Sequence, residues 1–281
     1  MNTISTKLKK FAYPMILPIL FLIVWTLLST TIDNKVIFPK LSSVLYNFSH
    51  ATENFIGLGS IPKNVAISII RVLIGYLIGV IIAVPLGIFM GYISAVNSIF
   101  ESFINVFRPI PPLAWVPLVL GWFGVSSLAT VFGLTQGDAY VYLNNFKISM
   151  IFIIALGTFF PVITNVSFGV RNIRTTLIDS ARVLGASEHD IFFKILIPGA
   201  APTIVNGLRT GLGIAWACLV SAEMLPGSLS GVGYLITHAY ELARTDLVVT
   251  GMICIGIVGA CLDYTFKFAE RKYLSWGSKI K

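Results

Sequence analysis

The chain has 281 residues, 56% of them hydrophobic and 11% charged, and its mean hydropathy is +0.86. Ordinary soluble domains carry roughly 25% charged residues, so too few charges are present to cover a water-facing surface, and a soluble globular enzyme is excluded. A net charge of +8 would suggest nucleic acid in a soluble protein; here it reads as basic loops gathered on the cytoplasmic side of a membrane, with no nucleic-acid partner.

The apolar residues come in long blocks, and about 20 in a row suffice for a helix to cross the hydrocarbon core. Residues 11–32, 72–100, 109–137 and 148–170 carry no charge, 203–222 is interrupted only by Arg209, and 247–262 is uncharged but short. The pattern predicts an all-α membrane protein with about six transmembrane helices. Their expected positions are near 11–31, 68–91, 105–127, 148–168, 202–223 and 246–265. Lys7, Lys9 and Lys10 precede the first block as in a signal peptide. Its apolar run is longer than an h-region and no clean small-x-small site follows, so it reads as a retained span.

Along the chain, residues 1–10 read as a cytoplasmic N-terminus and 11–265 as the transmembrane domain, with 266–281 as a cytoplasmic tail. In the outer segment 32–64, Ser42 is placed to cap a short surface helix over 43–50. Glycines recur four apart, as at Gly75 and Gly79, Gly87 and Gly91, and Gly207 and Gly211; small residues at this spacing let helix backbones approach closely. The run Arg108-Pro109-Ile110-Pro111-Pro112-Leu113-Ala114-Trp115 resists regular helix and predicts a broken entry into the third span. Residues 128–147 are too polar for a clean span and are expected to extend its outer end and return.

The longest basic loop runs from Arg171 to Pro202. Thr176 with Asp179, and Ser187 with Asp190, resemble capping boxes, and Gly185 fits the left-handed stop position between them. The loop therefore predicts a helix near 177–184, a glycine turn, and a second helix near 188–197 ending against Pro198. Apolar stripes on both, Leu177, Ile178, Ala181 and Leu184 on one and Ile191, Phe192, Ile195 and Leu196 on the other, must pack on the bundle or on another protein.

Asp179-Ser180-Ala181, then Gly185, then Ile195-Leu196-Ile197-Pro198 resembles the EAA loop of ABC importer permeases at the family's spacing, with Asp179 in place of Glu, Ser180 in place of Ala and Ile197 in place of Leu. Arg108 through Trp115, Gly121-Trp122-Phe123-Gly124, Gly207 through Gly213, and Gly231 through Ile236 resemble the branch that imports nitrate, sulfonates, taurine or bicarbonate. The segment around 128–146 looks like an insertion relative to that branch, on the outer side where a binding protein docks.

The resemblance implies a type I ABC importer permease (MetI-like) bundle in a prokaryotic inner or plasma membrane, with both termini cytoplasmic. It implies a homodimer of this chain in lipid, ABC ATPase subunits beneath, and an extracytoplasmic solute-binding protein above. In that frame the loop 171–201 is the ATPase-coupling element, with Asp179, Ser180, Ala181, Gly185, Ile195 and Pro198 as its site residues. No Gly-x-x-x-x-Gly-Lys-Ser/Thr occurs, so ATP hydrolysis is expected in the partner. A secondary transporter or channel, or a membrane scaffold subunit, are the alternative classes.

Ionisable residues in spans are costly and invite explanation. Arg108, Arg209 and Glu223, with Asn165, Asn206 and Thr210, are candidates for the translocation path; the plainer alternative for the arginines is that they snorkel, cap carbonyls or tie helices together. Cys218, Cys254 and Cys261 lie in apolar segments and read as buried thiols. His50, His189 and His238 are scattered, so no catalytic centre, metal or cofactor is expected.

Overall fold

The computed structural model describes residues 2–273. The expectations for the side chains of Lys7, Lys9 and Lys10, and for Lys279 and Lys281, lie outside what it describes. Among the described residues the chain is helical, with one isolated antiparallel bridge between Ser127 and Lys147.

Helix α1 (Asn2–Ile32) is followed by α2 (Leu41–Ser49), α3 (Ile61–Tyr92), α4 (Ser94–Phe107), a 3₁₀ turn over Pro112–Trp115 and α5 (Val116–Phe123). Short helices α6 (Leu128–Val131) and α7 (Asp138–Leu143) precede α8 (Ile148–Arg171). Then come α9 (Thr175–Val183), α10 (Glu188–Asp190), a π-helical segment over Ile191–Leu196, α11 (Ile197–Glu223), α12 (Val232–Glu241) and α13 (Thr245–Tyr273). Five helices are long and apolar enough to cross a membrane, and the bent pair α4 and α5 brings the number to six.

Helix α8 is the centre of the bundle, with half of its most apolar stretch buried. Glycines of α3 seat against it on one side. A Cβ at Gly79 would stand 2.7 Å from the Ala155 carbonyl oxygen, and one at Gly87 would stand 2.8 Å from Val166 Cβ. Helix α11 packs on the other side, where a Cβ at Gly211 would stand 2.7 Å from Val162. Lipid tails are as apolar as leucine, so such helices associate through close packing rather than water exclusion, and only small residues permit this separation. Leu22, Leu27, Ile81 and other apolar side chains on the outer faces remain exposed, as a lipid-facing surface requires.

Several boundaries differ from the sequence expectations. The broken entry expected at Arg108–Trp115 is present, with α4 and α5 meeting at 86°, because Pro109, Pro111 and Pro112 leave Arg108–Pro111 unable to continue the backbone ladder; the helix after the break ends at Phe123 rather than near 127. Lys40 rather than Ser42 precedes α2, and Arg174 rather than Thr176 precedes α9; neither helix start has a side-chain cap. Pro198 does not end the second loop helix. The π turn over Ile191–Leu196 widens the backbone just before it, so the ring and the missing donor are accommodated and one helix runs from Glu188 to Glu223. The helix expected to stop near 265 continues to Tyr273. Cys218 and Cys254 are buried, but Cys261 is exposed on the outward face of α13.

The segment 128–147 begins and ends at the same place, joined by the bridge between Ser127 and Lys147. Leu128 N–H donates to the Phe146 carbonyl and Ile148 N–H to the Ser126 carbonyl, closing it as a flap built on α6 and α7.

Candidate functional site

The loop after α8 folds into a compact knob. Helix α9 ends in a Schellman motif: Ala186 N–H donates to the Ala181 carbonyl at 3.0 Å and Gly185 N–H to the Arg182 carbonyl at 2.9 Å. This closure requires Gly185 at φ 82°, a conformation that costs an L side chain about 1 kcal/mol or more. Ser187 then caps α10, its Oγ accepting from Asp190 N–H at 3.2 Å.

Charge pairs brace the turn. Arg182 Nε donates to Glu188 Oε1 at 2.9 Å, and Arg182 also faces Asp179 at 3.7 Å. Glu188 favours the charged guanidinium and holds the Arg182 pKa above its ordinary value. Lys194 pairs with Asp190 at 2.6 Å. Tyr92, the last residue of α3, donates its hydroxyl to Glu188 Oε2 at 3.1 Å and meets Phe192 edge-on, so the knob is fastened to a membrane helix.

The expected coupling residues are distributed over this knob. Asp179 and Ser180 are exposed on α9, Ala181 is half-buried and supplies the Schellman acceptor, Gly185 is open, Ile195 is half-buried and Pro198 is exposed. The tip is apolar and uncovered: Val183 is 88% and Leu184 86% exposed. Two adjacent aliphatic side chains thus stand uncovered beside the charged Arg182 and Glu188.

The second arm of the knob is continuous with α11. The helix from Glu188 to Glu223 has 36 residues, a length of about 54 Å at 1.5 Å per residue. Asn206, Thr210, Gly213 and Ala217 are exposed along one face, a small and polar stripe at helical spacing.

At its far end Glu223 is enclosed. Arg71 Nη1 donates to Glu223 Oε1 at 2.6 Å, with both side chains fully buried. Ser68 Oγ donates to both Glu223 oxygens at 2.8 and 2.9 Å, and Gly233 N–H donates to Oε2 at 3.0 Å. Arg71 also donates to the Ser230 carbonyl, Ser230 Oγ and the Asn145 carbonyl, at 2.7, 2.8 and 2.9 Å. The cluster therefore joins α3, α11, the turn before α12 and the base of the flap. Nearby, Lys147 is buried and donates to Asn144 Oδ1 at 2.9 Å; burial first, then the charge of Arg71, pulls its pKa below the ordinary lysine value.

Three candidates for the path are engaged within the bundle, although Asn165 and Arg209 are only half-buried and Arg209 also borders a cavity of about 160 Å³. Glu223 is locked in the ion pair. Asn165 lies in the α8–α11 seam, where its Nδ2 donates to the Pro161 carbonyl at 2.8 Å and its Cβ is met by Gly207. Arg209 ties α11 to α13 through Asp263 at 2.5 Å. Asn206 and Thr210 lie on the exposed stripe, and Arg108 follows α4 at the bend, bordering a cavity of about 180 Å³. Among the described residues no cluster of three His, Cys, Asp or Glu is placed to hold a metal.

Residues 83–274 match the family described as the binding-protein-dependent transport system inner membrane component. The chain belongs to this family of ABC importer permeases. It is 43% identical over 280 residues to a putative ABC transporter permease of Methanocaldococcus jannaschii, covering 99% of this chain and 97% of that one. It is 31% identical over 263 residues to a putative aliphatic sulfonates transport permease of Bacillus subtilis, covering 93% and 86%. Its fold resembles an inward-facing structure of the MetNI methionine ABC transporter, with a TM-score of 0.60 at 17% identity, covering 75% of this chain and 95% of that chain.

The permease is thus the multi-pass membrane subunit of an importer whose ATPase is a separate chain and whose solute arrives on a binding protein. The family sets aside the secondary-transporter, channel and scaffold alternatives. Arg71, Ser68, Asp263 and Tyr92 were not singled out from the sequence of the permease. The signal for Arg71 was present: an arginine and a glutamate sit near the outer ends of two expected spans, and a charge in hydrocarbon demands a partner.

Proposed function

We propose that this permease carries a small anion, in the class of nitrate, sulfonate, taurine or bicarbonate, along a path between two copies of the chain. Both termini and the knob face the cytoplasm. The ATPase seats on the knob, receiving the exposed Val183 and Leu184 beside the Gly185 turn. Nucleotide binding draws the knobs together, and the bundle passes from inward-open to outward-open. Asn206 and Thr210 line the path.

The observation that carries this reading is the unbroken helix from Glu188 to Glu223. One end is the knob, the middle bears the polar stripe and the far end is anchored to Arg71. A push at the knob is therefore delivered to the path and to the outer cluster by one rigid element. The anionic class is supported by the sulfonate permease of Bacillus subtilis among its relatives.

Labelling of a single cysteine at Ser187 in intact cells and in inside-out vesicles tests the orientation. Impermeant reagent is expected to react only in inside-out vesicles. Reaction only in intact cells would reverse the topology and remove the ATPase from the knob.

A further inference from the structure

The charged groups within the membrane domain fall into two kinds. Arg71 and Arg209 each meet a carboxylate at 2.6 and 2.5 Å. The Arg108 side chain has no ion pair or hydrogen bond among the described residues, its backbone N–H alone donating to the Ile104 carbonyl at 2.8 Å. It borders the cavity of about 180 Å³ enclosed by α4, the last turns of α8 and Met90 of α3. Across that cavity stands Arg171, whose nearest counter-charge, Glu101, is 4.0 Å away and already accepts from Asn97 Nδ2.

The cavity wall carries two guanidinium groups and one carboxylate, a formal excess of one positive charge. Asn105, Thr164 and Ser167 add polar groups to the same wall; the Thr164 hydroxyl is spent on the Phe160 carbonyl at 2.7 Å, which leaves its oxygen as an acceptor. The remaining wall is apolar: Ile104, Ile163 and Phe168 face the space. A guanidinium fork offers two parallel donors that hold two oxygens of one oxyanion, including a tetrahedral one such as a phosphate or sulfonate. An apolar wall with a few converging polar groups is the usual form of a small-molecule site.

We propose that this cavity is a solute site in the permease itself, taking a small organic monoanion, an alkanesulfonate with a short apolar tail, in preference to a bare inorganic anion. Arg108 and Arg171 bind the sulfonate, and Ile163 and Phe168 hold the tail. Glu101 partly neutralises Arg171, which sets the preference for one negative charge over two. The site lies on the knob side, between α4 and the end of α8 that leads into α9, so movement of the knob alters its width. This proposal rests on the reading of the chain as an anion importer and adds a point of selection inside the membrane domain.

The test uses the assembled permease–ATPase complex in lipid nanodiscs without binding protein, titrated calorimetrically with ethanesulfonate, nitrate and sulfate. Ethanesulfonate is expected to bind more tightly than nitrate or sulfate. Arg108→Gln is expected to weaken it by about tenfold or more, the loss typical of a charged hydrogen-bonding partner. Arg108→Lys is expected to fall between. Arg108 is exposed and unpartnered, so the variant is expected to assemble, and size-exclusion chromatography verifies this. Equal ethanesulfonate affinity in wild type and Arg108→Gln, or no binding to wild type, would overturn the site. In parallel, ethanesulfonate uptake is measured with the cognate binding protein and ATP. Uptake with no effect of Arg108→Gln on binding removes the site and leaves the importer reading intact. Failure of every small anion to be taken up removes the anion reading, and the site with it.

Discussion

Arg71 and Glu223 lie 152 residues apart in the chain and meet at 2.6 Å with neither side chain reaching solvent. The pair sits where the long helix α11 ends, and its spare hydrogen-bonding capacity is taken up by Ser68, Ser230, Asn145 and the Gly233 amide. A carboxylate and a guanidinium taken out of water are tolerable only when both are paired and their remaining groups satisfied. The flap between Ser127 and Lys147 is held to the bundle through the same residues. The cluster therefore links the flap to the long helix that begins at the knob.

Removing one member leaves the other buried and unpaired. Glu223→Ala is expected to destabilise the permease by about 3–5 kcal/mol, read as a lower Tm of the purified complex in detergent. The double variant Arg71→Met with Glu223→Leu is expected to cost less than Glu223→Ala alone. A double variant that costs the sum of its parts would show that the two residues are energetically independent.

The glycine seam makes a second prediction. Gly79→Val places carbon where the Ala155 carbonyl oxygen and Thr158 Cβ already stand, at 2.7 and 2.8 Å from a Cβ. Overpacking of this kind costs about 1–3 kcal/mol. Gly256→Ala, with nothing within 4 Å, is expected to be neutral or stabilising by less than about 1 kcal/mol. Thermal melts of the two variants beside wild type separate close packing from helix propensity.

Tyr92 offers a test of how the knob is fastened. Tyr92→Phe keeps the edge contact with Phe192 and loses the hydroxyl donated to Glu188. The bond is exposed to solvent, so the variant is expected to fold normally and any effect falls on the fastening of the knob. The ratio of solute transported to ATP hydrolysed is expected to fall, with the ATPase still bound. An unchanged ratio would make the contact decorative.

How much was legible beforehand depends on whether the signal was local. Gly185 and Ser187 announce a turn and a cap through their own chemistry, and the structure has both. The apolar blocks around 72–100 and 148–170 mark spans because length and hydropathy are properties of a segment. The four-residue glycine spacing announced close helix contact, though not which helices meet. That Glu223 needed a cationic partner was readable from its place in a span, but which partner Arg209 takes was not, since Asp263 is brought to it only by packing between distant helices. Pro198 misled for a related reason: a proline normally stops a helix, and the π turn that lets this one pass has no signature in residue type.

The direct test of the knob as the ATPase seat is co-purification with Gly185→Arg. The glycine has φ 82° and open space around it, so the substitution strains the Schellman turn and adds a long cation beside Val183 and Leu184 without touching the bundle. The tagged variant is expected to insert in the membrane, to retain substantially less ATPase than wild type, and to support no uptake. Recovery of the complex at normal stoichiometry with wild-type transport would contradict the coupling role assigned to this turn.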